Sequence, residues 1–415
     1  SLAGIFLLFT PVSALPDESQ SSAVTTDPSK VYEADFVAEL RPADGVVYMT
    51  LTIRQPRRLL RRIRMNADPA RYMAFAGDGE IRVEDEDVIW EPLNTGGTLS
   101  FQLVIDEERT SGGFDSLMTD KWAVFRGDDL FPPAASRAVK GARSKSRLRI
   151  NGPPGWSFIS AYPRSNAKSD WFEINRSDRK FDRPVGWMAA GDLGVRWEDI
   201  EETRVAIAGP RGHGVRRMDM AAFLRWNLPT LRVIFPVFAD RLLIVSAGDP
   251  MWRGGLSGPD SLFIHADRPL ISANGTSTLL HELIHLAQPY RARSGEDWII
   301  ESMAEYYTLE IMRRSGTISK NRYDRGLEQL ESWSSDAEEL EAEESSGSRT
   351  AKGVAVMHAL DSELKEISDG RVSLDDVVSK LSEMGGLVGL AELRGVAEML
   401  AGESVSSLPS ASATR

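Results

Sequence analysis

The chain has 415 residues, a formal net charge of −12, 42% hydrophobic residues and no cysteine. The length allows two or three domains with a sizeable core, and the hydrophobic content is that of a globular protein. The acidic balance argues against non-specific nucleic-acid binding, and the missing cysteines exclude disulfides, thiolate metal ligands and a cysteine nucleophile.

Leu2 to Ala14 is an apolar run that ends Val12-Ser13-Ala14, a small-x-small cleavage pattern. Residues 1–14 read as the remnant of a signal peptide, which implies a periplasmic or secreted protein. The run is short for a bilayer span, so no stable membrane span is expected in the mature chain; an uncleaved anchor is the alternative. Residues 15–30 read as a polar linker.

Residues 31–198 form a β-rich unit. VYEADFVAEL, VVYMTLTIR, IRVEDEDVIW and TLSFQLVID alternate β-branched, aromatic and polar residues between Gly, Pro and Asp turns. The pattern predicts an antiparallel sandwich. Six arginines between Arg54 and Arg64 read as a solvated strand edge.

Residues 199–401 form a second, mainly helical unit with a small sheet, so the fold class is α+β. TRVAIAG (203–209), RLLIVS (241–246) and SLFIHA (261–266) read as strands; residues 218–237 read largely as helix, interrupted at Pro229. Residues 276–288 (TSTLLHELIHLAQ) follow, with Leu280, Leu283, Ile284 and Ala287 as a helical apolar stripe. Asn274, Thr276 and Ser277 offer N-cap oxygens and Pro289 stops the helix. His281 and His285 are four residues apart and share one helix face. Two such imidazoles can hold a zinc ion, and Glu282 can take a proton from a zinc-bound water. The structural alternative is two core histidines bonded to backbone.

Residues 297–313 read as a second helix, with Ser294 able to cap it. Glu301 and Glu305 project to one side. One can bind zinc while the other orients a ligating histidine from behind; the spacing alone leaves the two roles open. Residues 336–347 are an acidic run suited to a solvated helix end and loop. Residues 402–415 have the composition of a disordered tail.

HELIH followed by Trp298-Ile-Ile-Glu301-Ser-Met-Ala-Glu305-Tyr306-Tyr307 resembles the gluzincin zinc metallopeptidases, above all the aminopeptidase N and glycyl aminopeptidase families. The resemblance implies a β-sandwich in front of a thermolysin-like catalytic domain. It implies Zn2+ as cofactor, His281, His285 and Glu301 as ligands, Glu282 as general base and Glu305 behind a ligand. The spacing from His285 to Glu301 is slightly short for the family, but the Trp298 and Tyr306 landmarks fix the register on Glu301. Gly255 and Leu256 of GGLSG (254–258) match the family's substrate-binding segment.

Two positions depart from the family. Ser257 stands where glycyl aminopeptidases carry the glutamate that reads the substrate's free amine. Thr350, before Lys352-Gly353, replaces the tyrosine that supports the oxyanion. His265 and His358 are candidate replacements for that tyrosine, and His213 in GPRGHG reads as exposed. The resulting expectation is zinc-dependent peptide hydrolysis without strict aminopeptidase specificity. The alternative is a catalytically weakened or inactive peptidase-like binding protein. Peptides are the expected partners, and no nucleic acid.

Overall fold

The computed structural model describes residues 27–175, 180–337 and 339–410. The expected signal peptide and most of the linker lie outside the described residues. Val31–Arg41 buries Tyr32, Ala34, Phe36, Ala38 and Leu40 on one face, the period-two pattern of a strand. It is central in a six-stranded sheet with the order Trp171–Glu173, Arg143–Asn151, Val31–Arg41, Val46–Arg54, Gly96–Leu103, Tyr72–Gly77. A four-stranded sheet shares its core, contributing Ile63, Met65, Val88 and Trp90.

This is the expected sandwich with one difference. Val31–Arg41 runs parallel to Arg143–Asn151. Alternation sets which side chains are buried but not the direction of the partner strand. The arginine run lies on the surface as anticipated, but it is tied across strands: Arg58 and Arg62 meet Glu91, and Arg64 meets Asp87.

A third sheet, containing Trp122–Arg126 and Trp187–Gly191, is buried on both faces. Ala123, Phe125, Met188 and Ala190 face the sandwich core. Trp122, Val124, Trp187 and Ala189 face the other way, onto the sheet of the second unit.

That sheet comprises β1 (Leu193–Ile200), β2 (Thr203–Pro210), β3 (Arg241–Ala247), β4 (Gly255–Gly258) and β5 (Ser261–His265), in the order β1-β2-β3-β5-β4. β2, β3 and β5 are parallel, and β1 and β4 are antiparallel edges. The expected division at 198/199 falls inside β1, which pairs with β2 along its whole length. The sheet therefore begins at Leu193. The exposed residues of β1, including Val195 and Trp197, hide that boundary from a hydropathy reading.

Ala206, Ala208, Leu243 and Val245 face the third sheet, while Val205, Ile207 and Ile244 face the helices. α1 (Arg217–Ile234) covers this second face and runs unbroken through Pro229. The expected interruption is absent because Phe223, Leu224, Leu228 and Leu231 pack on the sheet and hold the helix across the lost backbone bond.

Next come α2 (Thr278–Ala287), α3 (Trp298–Arg314), α4 (Lys320–Ser334), α5 (Ser348–Ile367), α6 (Leu374–Met384) and α7 (Leu390–Ala401). α3 buries thirteen of its seventeen residues, which marks it as the central helix of the bundle.

Residues 402–410 are not a free tail. Val405 and Leu408 are buried, and Arg394 donates to the carbonyls of Val405, Leu408 and Pro409. Two apolar anchors and one arginine order a segment whose Ser-rich composition suggested disorder. Among the described residues no helix is long and apolar enough to cross a membrane.

Candidate metal centre

α2 starts where the Ser277 hydroxyl accepts from the Leu280 N–H, and ends at Gln288, before Pro289. Asn274 and Thr276, the other cap candidates, instead bond within the preceding turn through Ser272. Leu279, Leu280, Leu283 and Ile284 are buried, which turns His281 and His285 toward α3. α3 starts at Asp297 rather than being capped by Ser294, whose hydroxyl donates to Glu343 at 2.7 Å. The Asp297 carboxylate accepts from the Ser345 N–H at 2.8 Å and so pins the acidic loop to the start of α3.

The two helices bring His281, His285 and Glu301 together. His281 Nε2 lies 3.0 Å from His285 Nε2 and 3.2 Å from Glu301 Oε2. His285 Nε2 lies 3.2 Å from Glu301 Oε1. On the far side of the same imidazole, His281 Nδ1 lies 3.0 Å from Glu305 Oε2. A carboxylate only accepts, so Nδ1 carries the proton and donates to Glu305.

Three ligand atoms around a tetrahedral zinc, bonded at roughly 2.0–2.1 Å, sit roughly 3.3 Å apart. Here the two Nε2 atoms are 3.0 Å apart and each lies 3.2 Å from a different oxygen of the Glu301 carboxylate, spacings close to that value. Two imidazole Nε2 atoms facing one carboxylate at these distances need a shared cation or an extra proton between them. The donor set thus fits zinc, and Glu305 fits the orienting group behind a ligand.

The electrostatics agree. Burial opposes the charged form of His281, but hydrogen bonds with Glu301 and Glu305 override it and raise its pKa well above the ordinary value. Burial pushes the Glu301 carboxyl up, and His281 and His285 pull it well below the usual carboxylate range. Cationic character is favoured at the centre of this cluster.

Glu282 is only 8% exposed and faces β4. A Cβ built on Gly255 would lie 2.7 Å from Thr278 Cγ2 and 3.0 Å from Glu282 Cγ. Glycine is required there because the edge strand runs against the helix at the Glu282 side chain. Leu256 is fixed through its carbonyl, which accepts from Trp187 Nε1 at 2.9 Å. Ser257 is exposed and lies on the same face of β4 as Gly255.

The remaining candidates stand apart from this cluster. His265 is fully buried, with Nδ1 accepting from the Asp267 N–H and Nε2 beside Asp249 at 3.4 Å. His358 is exposed and lines a groove with Tyr323 and Asp324 of α4. His213, expected to be exposed, is partly buried with its ring edge-on to Trp122. Thr350 bonds Ser345 through its hydroxyl, and its carbonyl accepts from Ser302, the neighbour of Glu301. Tyr306 and Tyr307 donate to Asp361 and Asp375 and pack in the core. Asp297, a further acid at this end of α3, carries no sequence signal beyond its place one residue before the helix.

No protein-family model matches the sequence, and no curated protein matches it. Solved structures do. The chain is similar to an aminopeptidase N family protein from Idiomarina loihiensis, with a TM-score of 0.64 and 15% identity over 85% of this chain and 70% of that one. It is also similar to an M1 zinc metallopeptidase from Deinococcus radiodurans, with a TM-score of 0.54 and 15% identity over 89% of each chain. A two-domain M1 zinc metallopeptidase mutant bound to L-arginine gives a TM-score of 0.55, again at 15% identity. At this identity the likeness establishes a shared fold.

Proposed function

We propose that the chain is a zinc-dependent peptidase of the gluzincin type. The observation that carries this reading is the convergence of His281 Nε2, His285 Nε2 and the Glu301 carboxylate, with Glu305 behind His281. The named activity of the structural neighbours supports it. Zinc, when bound, supplies a Lewis acid for the peptide carbonyl and acidifies the attacking water.

The protein's own groups do the rest. Glu305 holds the tautomer of His281, so that Nε2 presents a lone pair to the centre. Glu282 accepts the proton of the attacking water and returns it to the leaving amine. The open edge of β4 at Gly255 offers backbone groups to an extended peptide, while the Leu256 carbonyl is held by Trp187 Nε1 and fixes the strand.

The same geometry supports a second, weaker reading. The α3 tyrosines are bound to Asp361 and Asp375, and Thr350 to Ser345, so none is free to support an oxyanion. This favours slow turnover, or a binding protein that retains zinc. The test is peptide cleavage by chelator-stripped protein with and without added zinc. Cleavage restored at one zinc per chain supports the peptidase; stoichiometric zinc without cleavage selects the binding protein.

A further inference from the structure

At the edge of the second unit's sheet opposite β4 lies a cavity of about 500 Å³. Its wall combines Ser157–Ser160 of the third sheet with the starts of β1, β2 and β3. The volume suits a small organic ligand. Phe158, Ile159, Leu193, Val195 and Trp197 form an apolar lining, with Val195 39% and Trp197 45% exposed.

The charged groups in this cavity are arginines. Arg204 and Arg241 are direct cross-strand neighbours in the parallel β2–β3 pair. Like charges in that position destabilise a sheet, yet neither arginine forms an ion pair among the described residues. Arg204 stacks over the Trp197 ring at 5.1 Å and has no ion pair among the described residues. Arg241 donates Nε to the Ala161 carbonyl at 3.0 Å and has no carboxylate partner among them either. Asp199, cross-strand from Arg204, and Asp240, adjacent to Arg241 in sequence, are both exposed and pair with neither. The third arginine of the lining, Arg164, does have an acid partner, Asp170 at 3.8 Å, which leaves Arg204 and Arg241 as the cationic pair without one.

A second observation points the same way. Ser160 is 3% exposed and lines the cavity, and its hydroxyl has no hydrogen-bond partner among the described residues. An unpaired buried hydroxyl is costly unless something occupies the space it faces.

We propose that this cavity binds a small organic anion. A carboxylate-type head is held between Arg204 and Arg241, and an aryl or short acyl group lies against Trp197, Val195 and Phe158. Planar guanidiniums suit a carboxylate head, and the Trp197 face suits an aryl group. The proposal is independent of the metal centre, which adjoins the other edge strand, β4.

The experiment is titration calorimetry on the full chain with 4-phenylbutyrate, against 4-phenylbutan-1-ol and acetate as controls. One phenylbutyrate should bind per chain, at least roughly tenfold tighter than either control, since the first control lacks the charge and the second the ring. Arg204→Gln and Trp197→Ala should each weaken it by roughly tenfold or more while leaving the thermal midpoint unchanged or, for Arg204→Gln, raised. Both side chains are exposed, so the variants should fold. Binding should survive removal of zinc. The proposal is overturned by absence of saturable binding, by equal affinity for the alcohol, by unchanged affinity in both variants, or by binding that is lost with the zinc.

Discussion

Glu305 Oε2 sits 3.0 Å from Nδ1 of His281, while Glu301 Oε2 sits 3.2 Å from Nε2 of the same ring. One imidazole lies between two carboxylates that are one helical turn apart. The proposed roles rest on which nitrogen each touches: Nε2 also faces His285, so Glu301 lies where a shared cation would sit and Glu305 does not. Glu301→Ala should therefore lose most of the zinc. Glu305→Ala should only weaken binding, by roughly 10–100-fold. Zinc titration of the two variants checks this, and the reverse order would exchange the roles.

Glu282→Gln should retain zinc and fold but lose peptide hydrolysis, by roughly 10²–10⁴-fold if proton transfer is its whole contribution. The amide keeps the shape of the side chain and removes the proton acceptor. Near-normal turnover with zinc bound would mean that another group activates the water.

Gly255→Val tests the packing of β4 against α2. The added Cβ meets Thr278 Cγ2 and Glu282 Cγ, so either the edge strand or the Glu282 side chain must move. Overpacking of this kind costs about 1–3 kcal/mol, and a displacement of roughly 1 Å at a catalytic group costs roughly 100-fold in rate. Turnover should fall sharply while zinc content stays at one per chain. Adding Thr278→Ser, which removes the clashing Cγ2, should recover part of it. Wild-type turnover in Gly255→Val would show that the strand is not held where the geometry places it.

The clustering of His281, His285 and Glu301 was legible in the sequence because both helices carry their polar pairs at i, i+4 spacing, and helix geometry alone puts such pairs on one face. The sandwich was legible from its period-two alternation. The rest depended on long-range contacts. The parallel pairing of Val31–Arg41 with Arg143–Asn151, tied by Arg147 to Asp35, joins residues 112 positions apart. The capture of residues 405–409 by Arg394 rests on carbonyls, which carry no residue signature. Ser294 looked like a cap by composition, but the Glu343 carboxylate is its partner.

Glu310 anchors the far end of α3 and gives a pH prediction. It is 3% exposed and accepts from Arg313 and Arg314, while Arg314 also donates to Asp375. Burial pushes its carboxyl up, but Arg313, Tyr323 and Arg314 overcome this and lower it from 4.5 to about 2. A depressed folded-state pKa means stability that is present above the unfolded value and lost as pH falls through about 2. The shift corresponds to roughly 3 kcal/mol at neutral pH. Glu310→Gln should therefore be less stable than wild type by about that much at pH 7, with the gap narrowing steadily below pH 4.5. Urea unfolding at several pH values checks it; a gap that is independent of pH would assign the loss to packing instead.

The last prediction concerns the substrate's N-terminus. A free ammonium entering a largely buried cleft needs a carboxylate, because an unpaired charge there is strongly disfavoured. Ser257, exposed on the cleft face of β4, supplies only a dipole. Glu301 and Glu305 are engaged by His281 and His285, and Asp297 accepts from the Ser345 N–H. Asp260 sits in the left-handed turn after β4, with φ of 51°. With Glu282 reserved by the proposed mechanism for the attacking water, no acid already within the cluster is left for the amine. Peptides identical except for N-acetylation should be cleaved with similar kcat/KM, within a factor of roughly ten, whereas recognition through a dedicated buried carboxylate would separate them by far more. Ser257→Glu should then introduce a preference for the free amine. A strong preference already present in wild type would point to Asp260, and Asp260→Asn would abolish it. Cleavage of neither peptide by zinc-loaded protein would identify the chain as a binding protein.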